Sequence, residues 1–504
     1  MATLLVHDFL LSKDGIAAPE KHPLKMAVLR NKTRLKAEFT KIRVQNGYAT
    51  LDDFRNGVEI GCSTKNGKQT REEKSSVNNI SHPRWVRINE LKTDEKSRLS
   101  IFSNYTQADS LSQVIDASQN DSVLFIDDTV PGLVALPPGH DLRLWAPYEK
   151  GQIIIQDKAS CFPALLLRDA ALEGDIIDTC AAPGNKTTHI AGLLYQQAGV
   201  KKPVAHTVFA FERDSARSLT LEKMVRTAGA EKFVKIYRNT DFLKAEPDDA
   251  AFKNVRAILI DPSCSGSGII GRDDDAEMPL AGDLRSHQRQ QKQLGMKRKR
   301  SFNSEEAEEE NHQDRKSLFA RLENLAAFQL KLLLRAMCFP KAVMISYSTC
   351  SIHSEENESV IIQALSSRIA KERGWKILKR DDQFEGLKRW EIRGNLDACR
   401  SIIEQLTVGD SELEVKAEDI ADACIRCEKG TKDGTMGFFV AGFVRRYENE
   451  ELQEQSRRRR EEMRKEDIEY FKLRSAKNSS PGESSTSHPS VRVAGVVKHV
   501  AKSE

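Results

Sequence analysis

Two short stretches set a thiol among turn-forming residues. Ile260–Gly268 reads IDPSCSGSG and Ser346–Asn357 reads SYSTCSIHSEEN. In each, an apolar run gives way to small polar residues, and Cys264 or Cys350 stands at the mouth of the loop. A turn uses Gly, Pro and Ser for its backbone and has no need of sulfur. A free cysteine more often packs in a core as a small hydrophobe. Two thiols at loop mouths after strand-like runs instead suit nucleophilic chemistry. Asp261 adds a carboxylate at the same strand end, where it can move a proton or neutralise charge.

A third stretch, DTCAAPGNKTTHIAGLL (Asp178–Leu194), joins a strand to a helix through a tight turn of small residues. Backbone comes close to a ligand at such a turn, and a helix N-terminus favours anionic groups. The spacing excludes a P-loop, because Asn185 separates Gly184 from Lys186 and no glycine lies five residues before Gly184. A G-x-G-x-x-G dinucleotide fingerprint is also absent. Glu212 ends the next strand, where a carboxylate can accept both hydroxyls of a ribose. Asp241 follows the third strand, within reach of an adenine amino group, and Asp261 follows the fourth. Each acid alone is more often a turn or helix cap. Four features in this order, on successive strands, describe a site for S-adenosylmethionine.

The elements that must carry these loops alternate from Gly151 onward. Strands are expected in GDIIDTC, HTVFAFERD, FVKIYRNTD, VRAILIDPS and AVMISYSTCS, and helices over Asn185–Leu194, Ser215–Ala228 and Ser317–Cys338. Short apolar strands between helices imply a largely parallel sheet with its sites at the carboxyl ends of the strands. Ser354 is expected to cap a helix whose first turn holds Glu355 and Glu356. Ahead of this unit, WVRINEL (Trp85–Leu91) reads as a strand of a small mixed module, and residues 45–80 read as loop-rich. Lys21–Arg43 holds eight Lys or Arg residues against the single acid Glu38, with Leu24, Val28, Leu35, Phe39 and Ile42 near helical spacing. It reads as one amphipathic helix with a basic outer face, suited to RNA or simply to solvent. Residues 273–316 carry KQLGMKRKR and SEEAEEE, opposite charge blocks that predict a disordered insertion. The stretch 448–504 is a charged and then Ser-rich tail, with a charged helix possible over Glu450–Arg474.

Taken together, DTCAAPGNKT, IDPSCSGSG, SYSTCSIHSEENE and DGTMGFFVAGFVRR (Asp433–Arg446) closely resemble the Sun-domain (Fmu-type) RNA cytosine-C5 methyltransferases. The resemblance runs from about Trp85 to Tyr447, and NKTRLKAEF is most like the branch that modifies large-subunit ribosomal RNA. It implies an α/β chain in four parts. A basic helical segment (1–80) is followed by a small mixed RNA-binding module (81–149). A Rossmann-like class I S-adenosylmethionine-dependent methyltransferase domain (150–447) comes next, and the tail ends the chain. Members of that branch carry further helices ahead of a segment like LLVHDFLLSKDG, so part of the RNA-binding front is expected to lie outside this chain. The resemblance assigns attack on cytosine C6 to Cys350, product release to Cys264 and charge neutralisation near N3 to Asp261. It lines the cofactor with Cys180, Ala181, Ala182, Pro183, Gly184, Asn185, Lys186, Glu212, Arg217, Asp241 and Asp261. Arg217 has the weakest claim, since an arginine on a helix surface usually has no specific task.

Composition bounds the alternatives. The 504 residues carry a net charge of only +4, too small to name a nucleic-acid partner without the local basic stretch. The nine cysteines are odd in number and scattered, which favours a reducing compartment over a disulfide framework. No run approaches the roughly eighteen apolar residues of a membrane span, and MATLLVHDFLLSKD lacks a basic leader. The lone C-x-x-C of Cys424 and Cys427 has no second pair or histidine at ligand spacing, so no zinc is expected. The expected partner is ribosomal RNA, handled by a monomer in the nucleus or nucleolus, with KRKR (Lys297–Arg300) a possible address. Two rivals are a catalytically inactive RNA-binding assembly factor that keeps the fold, and a methyltransferase for protein or exocyclic amines. The paired thiols speak against both, because amine methylation needs no thiol.

Overall fold

The structure is a computed structural model that describes residues 2–11, 16–19, 22–45, 82–198, 206–269, 304–407 and 416–445, apart from positions 95, 96, 98, 99, 143, 144, 172 and 173. The 46–80 loop, the KRKR run, Arg446 and the tail lie outside the described residues.

The central strands of the catalytic unit are largely apolar and buried, as strands covered on both faces must be, whereas the edge strands Val234–Arg238 and Lys376–Ile377 are partly exposed. In chain order the strands are β6 (Asp175–Asp178), β7 (Val208–Glu212), β8 (Val234–Arg238), β9 (Val255–Ile260), β10 (Met344–Thr349), β11 (Lys376–Ile377), β12 (Ile425–Cys427) and β13 (Phe438–Val444). Their order is β11-β13-β10-β9-β6-β7-β8, with β12 on β13. The pairs β10/β9, β9/β6, β6/β7 and β7/β8 are parallel, whereas β13 runs antiparallel to β10, β11 and β12. Strand order reverses between β6 and β9. That is the switch point at which crossovers leave on opposite faces and open a crevice for a ligand. This is the Rossmann-like arrangement expected of a class I methyltransferase.

A second, five-stranded sheet precedes it. It is built from β1 (Arg84–Ile88), β2 (Thr106–Gln107), β3 (Val123–Ile126), β4 (Leu133–Leu136) and β5 (Ile153–Ile155), in the order β2-β3-β4-β1-β5. Three buried polar residues join the two sheets. The Asn89 amide donates to the carbonyls of Gly151 (2.7 Å) and Ala228 (2.9 Å). Arg87 on β1 donates to Gln156 (2.7 Å) and Thr188 (3.1 Å), reaching the helix that follows β6. Lys158 lies over the rings of Trp85 (5.7 Å) and Trp390 (5.2 Å) and pairs with Asp127 at 2.7 Å. Burial would drive its proton off, but the Asp127 carboxylate outweighs that and holds the amine charged.

Three elements differ from their sequence reading. The basic stretch forms two helices, Pro23–Arg30 and Lys32–Gln45, parted at Asn31, whose side-chain amide donates to the Ala27 carbonyl at 3.1 Å. Only Val28 of its apolar residues is buried, while Leu24 and Ile42 are exposed, so it is not one amphipathic helix. The long helix spans Ser304–Met337 rather than starting at Ser317, so residues 304–316 of the expected disordered insertion are helical. The run SEEAEEE is rich in the helix formers Glu and Ala, and acids are favoured near a helix start. Finally, Ser354 is not the N-cap, although its carbonyl accepts the Asn357 and Ser359 N–H groups at 3.2 and 3.0 Å. Residues 354–357 form a turn, and the helix Glu358–Ser366 starts after Asn357.

Removing one partner of the buried Lys158–Asp127 pair leaves a charge with no compensation. Asp127→Ala is expected to lower stability by about 3–5 kcal/mol in urea unfolding, and a loss under 1 kcal/mol would show that the pair does not hold the sheets together.

Candidate active site

The loops after β6, β9 and β10 meet at the switch point. Asp261, directly after β9, accepts from the Lys186 ammonium and from the Ser348 hydroxyl, each at 2.7 Å. Lys186 comes from the start of the helix Asn185–Ala198, and Ser348 from the end of β10. Lys186 also sits 5.2 Å from the centre of the Phe438 ring. Burial opposes its charge, yet Asp261 raises its pKa and keeps it an ammonium.

Cys264 and Cys350 are brought together with their sulfurs 3.1 Å apart. Two thiols so close cannot both ionise, and their surroundings decide which does. The hydrogen bond from Cys264 lowers the Cys350 pKa, burial opposes this, and Lys186 helps lower it. The Cys264 thiol is pushed up by that same bond, then by burial and by the nearby Glu356 carboxylate. These shifts favour Cys350 over Cys264 as the thiol that ionises more readily, across a contact in which either sulfur can donate. Cys180, in the same crevice, differs from both, because burial pushes its thiol up to about 12.

The β6 loop brings Cys180 through Lys186 around a single turn. Gly184 has φ +112°, and a Cβ there would lie 2.9 Å from Met224 Cγ, so glycine is required on both counts. The buried Glu212 accepts the Asp214 N–H through Oε1 at 2.9 Å, while its Oε2 has no hydrogen-bond partner. Asp178 Oδ1 and Asn185 Oδ1 are likewise buried acceptors without a donor. Native proteins seldom leave such atoms unsatisfied. A buried acceptor such as Glu212 Oε2, at the end of β7, fits a ribose hydroxyl of S-adenosylmethionine. Arg217 is more than a surface residue: its guanidinium donates to the Ala182 carbonyl at 2.7 Å and lies 3.7 Å from Glu212. Asp241 stands three residues beyond the end of β8 and caps the short turn Phe242–Lys244, spending Oδ1 on the Leu243 N–H at 3.0 Å. Cys424 and Cys427 are buried with their thiols pushed well up, as packed cysteines are.

Several residues of the site carried no individual signal in the sequence. Glu356, read as part of a helical turn, is fully buried and accepts the Ser265 N–H (3.0 Å) and the Gln329 amide (2.9 Å). Tyr347 donates to the Glu356 carbonyl at 2.6 Å. These bonds fix the Cys264 loop to the Cys350 loop. Asp178 could have been suspected, since it ends β6 as Glu212 ends β7.

The fold and the crevice define a class I S-adenosylmethionine-dependent methyltransferase. A family description of a 16S rRNA methyltransferase, RsmB/F, matches residues 164–298, and the ferredoxin-like domain of NOL1/NOP2/Sun domain family member 5 matches residues 82–156. The chain is 36% identical over 442 residues to the 25S rRNA (cytosine-C(5))-methyltransferase rcm1 of Schizosaccharomyces pombe, covering 88% of this chain and 76% of that protein. It is 32% identical over 375 residues to a 28S rRNA (cytosine-C(5))-methyltransferase of Mus musculus, covering 72% and 66%. A solved methyltransferase homolog from Pyrococcus horikoshii is 17% identical with a TM-score of 0.44, covering 80% of this chain and 97% of that one. The chain belongs to the Sun-domain RNA cytosine-C5 methyltransferase family. No helix among the described residues is long and apolar enough to cross a membrane.

Burial pushes the Asp178 carboxyl from 3.8 up to about 7, against the opposing hydrogen bond from Thr187. The folded value exceeds the unfolded one, so the native state holds the proton more tightly. The resulting stabilisation is complete below about pH 4 and is lost as pH rises toward 7, on the order of a few kcal/mol. Asp178→Asn should flatten that decline in urea unfolding of the cofactor-free protein from about pH 5 to pH 8. An unchanged slope would mean that Asp178 ionises normally.

Proposed function

We propose that this chain methylates C5 of a cytosine in large-subunit ribosomal RNA, with Cys350 as nucleophile. The observation that carries this reading is the thiol pair, with sulfurs 3.1 Å apart beside the Lys186–Asp261 ion pair. Cytosine C5 is a weak nucleophile, and a thiolate that adds to C6 turns it into an enamine carbon. Cys350 suits this step because the Cys264 S–H and the Lys186 ammonium both favour its thiolate. Asp261 lies beside it to take the N3 side of the base, with Lys186 and Ser348 fixing its two oxygens. S-adenosylmethionine, held by Glu212, Arg217, Asp241, Asp261 and the loop Cys180–Lys186, supplies the methyl group. A base then takes the C5 proton, and the C5–H electrons re-form the C5=C6 double bond as the C6–Sγ bond breaks. Cys350 leaves as a thiolate, with Cys264 at 3.1 Å assisting release through proton traffic. The basic helices Pro23–Arg30 and Lys32–Gln45 supply phosphate contacts. A nucleolar location goes with such a substrate.

The two cysteines should fail differently. Cys350→Ala is expected to abolish both methyl transfer and any protein–RNA adduct. Cys264→Ala should still attack and methylate but stall at release, leaving a heavy band on denaturing gels that needs the cofactor and disappears in the double variant. A trapped band from Cys350→Ala instead would reverse the two roles. Loss of methyl transfer in the wild type would favour an assembly factor that keeps the fold.

Glu212→Ala should weaken S-adenosylmethionine binding by about 1–3 kcal/mol in calorimetry. Unchanged affinity in the folded variant would remove Glu212 from the cofactor site.

A further inference from the structure

Two residues beyond the nucleophile, Ile352 is an apolar side chain left 51% exposed, while Ser351 before it is 1% exposed. Isolated exposed isoleucines are ordinary on protein surfaces. This one stands on a backbone that is hydrogen-bonded at almost every group. The Cys350 carbonyl accepts the Gly268 N–H at 2.8 Å. The Ser351 carbonyl accepts the Asn357 amide at 2.9 Å. The Ile352 N–H donates to Ser267 Oγ at 3.1 Å, and its carbonyl accepts the Arg426 guanidinium at 2.9 Å. The His353 N–H donates to Ser351 Oγ at 3.1 Å. Arg426 is itself fixed by two bonds, 2.7 and 2.6 Å, to the fully buried carboxylate of Glu358.

The platform beneath is equally tight. A Cβ on Gly268 would lie 2.0 Å from the Gly437 carbonyl oxygen, and a Cβ on Gly437 would lie 3.0 Å from Ile352 Cγ2. A loop this constrained cannot turn Ile352 inward without breaking several bonds. A β-branched side chain also has few rotamers to lose when something packs on it. The result is a rigid apolar post two residues along the chain from Cys350.

A cytosine within a stacked RNA must leave its stack before a thiolate can reach C6. Proteins that disrupt stacks do so with apolar side chains set between bases. We propose that Ile352 is such a wedge, packing against the base next to the target cytosine and holding the gap open while Cys350 engages C6. This rests on the cytosine reading above. A polar residue at the same position would satisfy solvent but would gain nothing from a base face.

The test uses the full chain and two RNAs. One is a hairpin whose stem carries, stacked, a ribosomal RNA cytosine that bisulfite sequencing shows to lose its methyl group when this enzyme is absent, and the other is a short unstructured strand of the same sequence. Ile352→Ala is expected to lower kcat/KM on the hairpin by about tenfold or more, with little change on the unstructured strand. Ile352→Leu should restore most of the loss. S-adenosylmethionine affinity and alkylation of Cys350 by iodoacetamide should match wild type, which excludes a disturbed loop. A 2-aminopurine beside the target should brighten when wild type binds and stay dim with Ile352→Ala. Equal losses on both RNAs, or no loss on either, would overturn the wedge. If wild type methylates neither RNA, the cytosine reading falls and takes the wedge with it.

Discussion

The Asp261 carboxylate is the point on which the rest of the site depends. It follows β9 directly, and its two oxygens take the Lys186 ammonium and the Ser348 hydroxyl. One acid thus ties together the ends of three neighbouring strands: β9 itself, β6 through the helix that follows it, and β10. Lys186 is buried, and a buried ammonium persists only with a partner at close range. Asp261 is the partner that raises the Lys186 pKa against burial, so its loss would weaken the positive charge that lowers the Cys350 pKa. The Cys180–Lys186 loop, Asp261 and Cys350 are therefore electrostatically one unit rather than three adjacent parts.

The small five-stranded sheet bears on that unit from behind. Its strand β1 sends Arg87 to Thr188, on the same helix that presents Lys186. Trp85, on the same strand, donates its indole N–H to the Gly434 carbonyl at 2.6 Å, four residues before Phe438, whose ring lies under Lys186. The module expected to touch RNA is thus joined through single side chains to the loop that holds the cofactor. Such joins carry coupling only if both ends have two arrangements. Here they fix geometry, since Arg87 and Asn89 are buried with their donors in use.

Much of this was legible in the chain before its fold was known. The central strands could be read because both faces are covered, so DIID, VFAFE and AILID appear as short apolar runs ending at acids. The loops could be read because Gly, Pro and Cys are conspicuous there. Polar residues buried between loops could not. Glu356 sits in a run of polar residues, HSEENE, where nothing in type or spacing separates the one acid that points inward. Its burial is decided by Ser265 and Gln329, which lie 91 and 27 residues away. The same blindness explains Ser354, a good cap by type, where the helix starts after Asn357 because Thr349 and Ser351 hold that side chain. In the basic stretch, apolar spacing suggested a buried face for which the described fold supplies no cover at Leu24 or Ile42.

The glycine contact between Gly268 and Gly437 has a consequence for how the chain can vary. Gly268 is held on both sides, its N–H to the Cys350 carbonyl and its carbonyl by the Gly437 N–H at 2.9 Å. The long charged stretch that separates β9 from the helix Ser304–Met337 departs just beyond this clamp. Changes in the length or composition of that stretch begin beyond a backbone already pinned at Gly268. The Cys264 loop is insulated from it, much as an anchored rope transmits no slack past its cleat. Insertions and deletions can accumulate on one side of Gly268 while the catalytic register on the other side stays fixed.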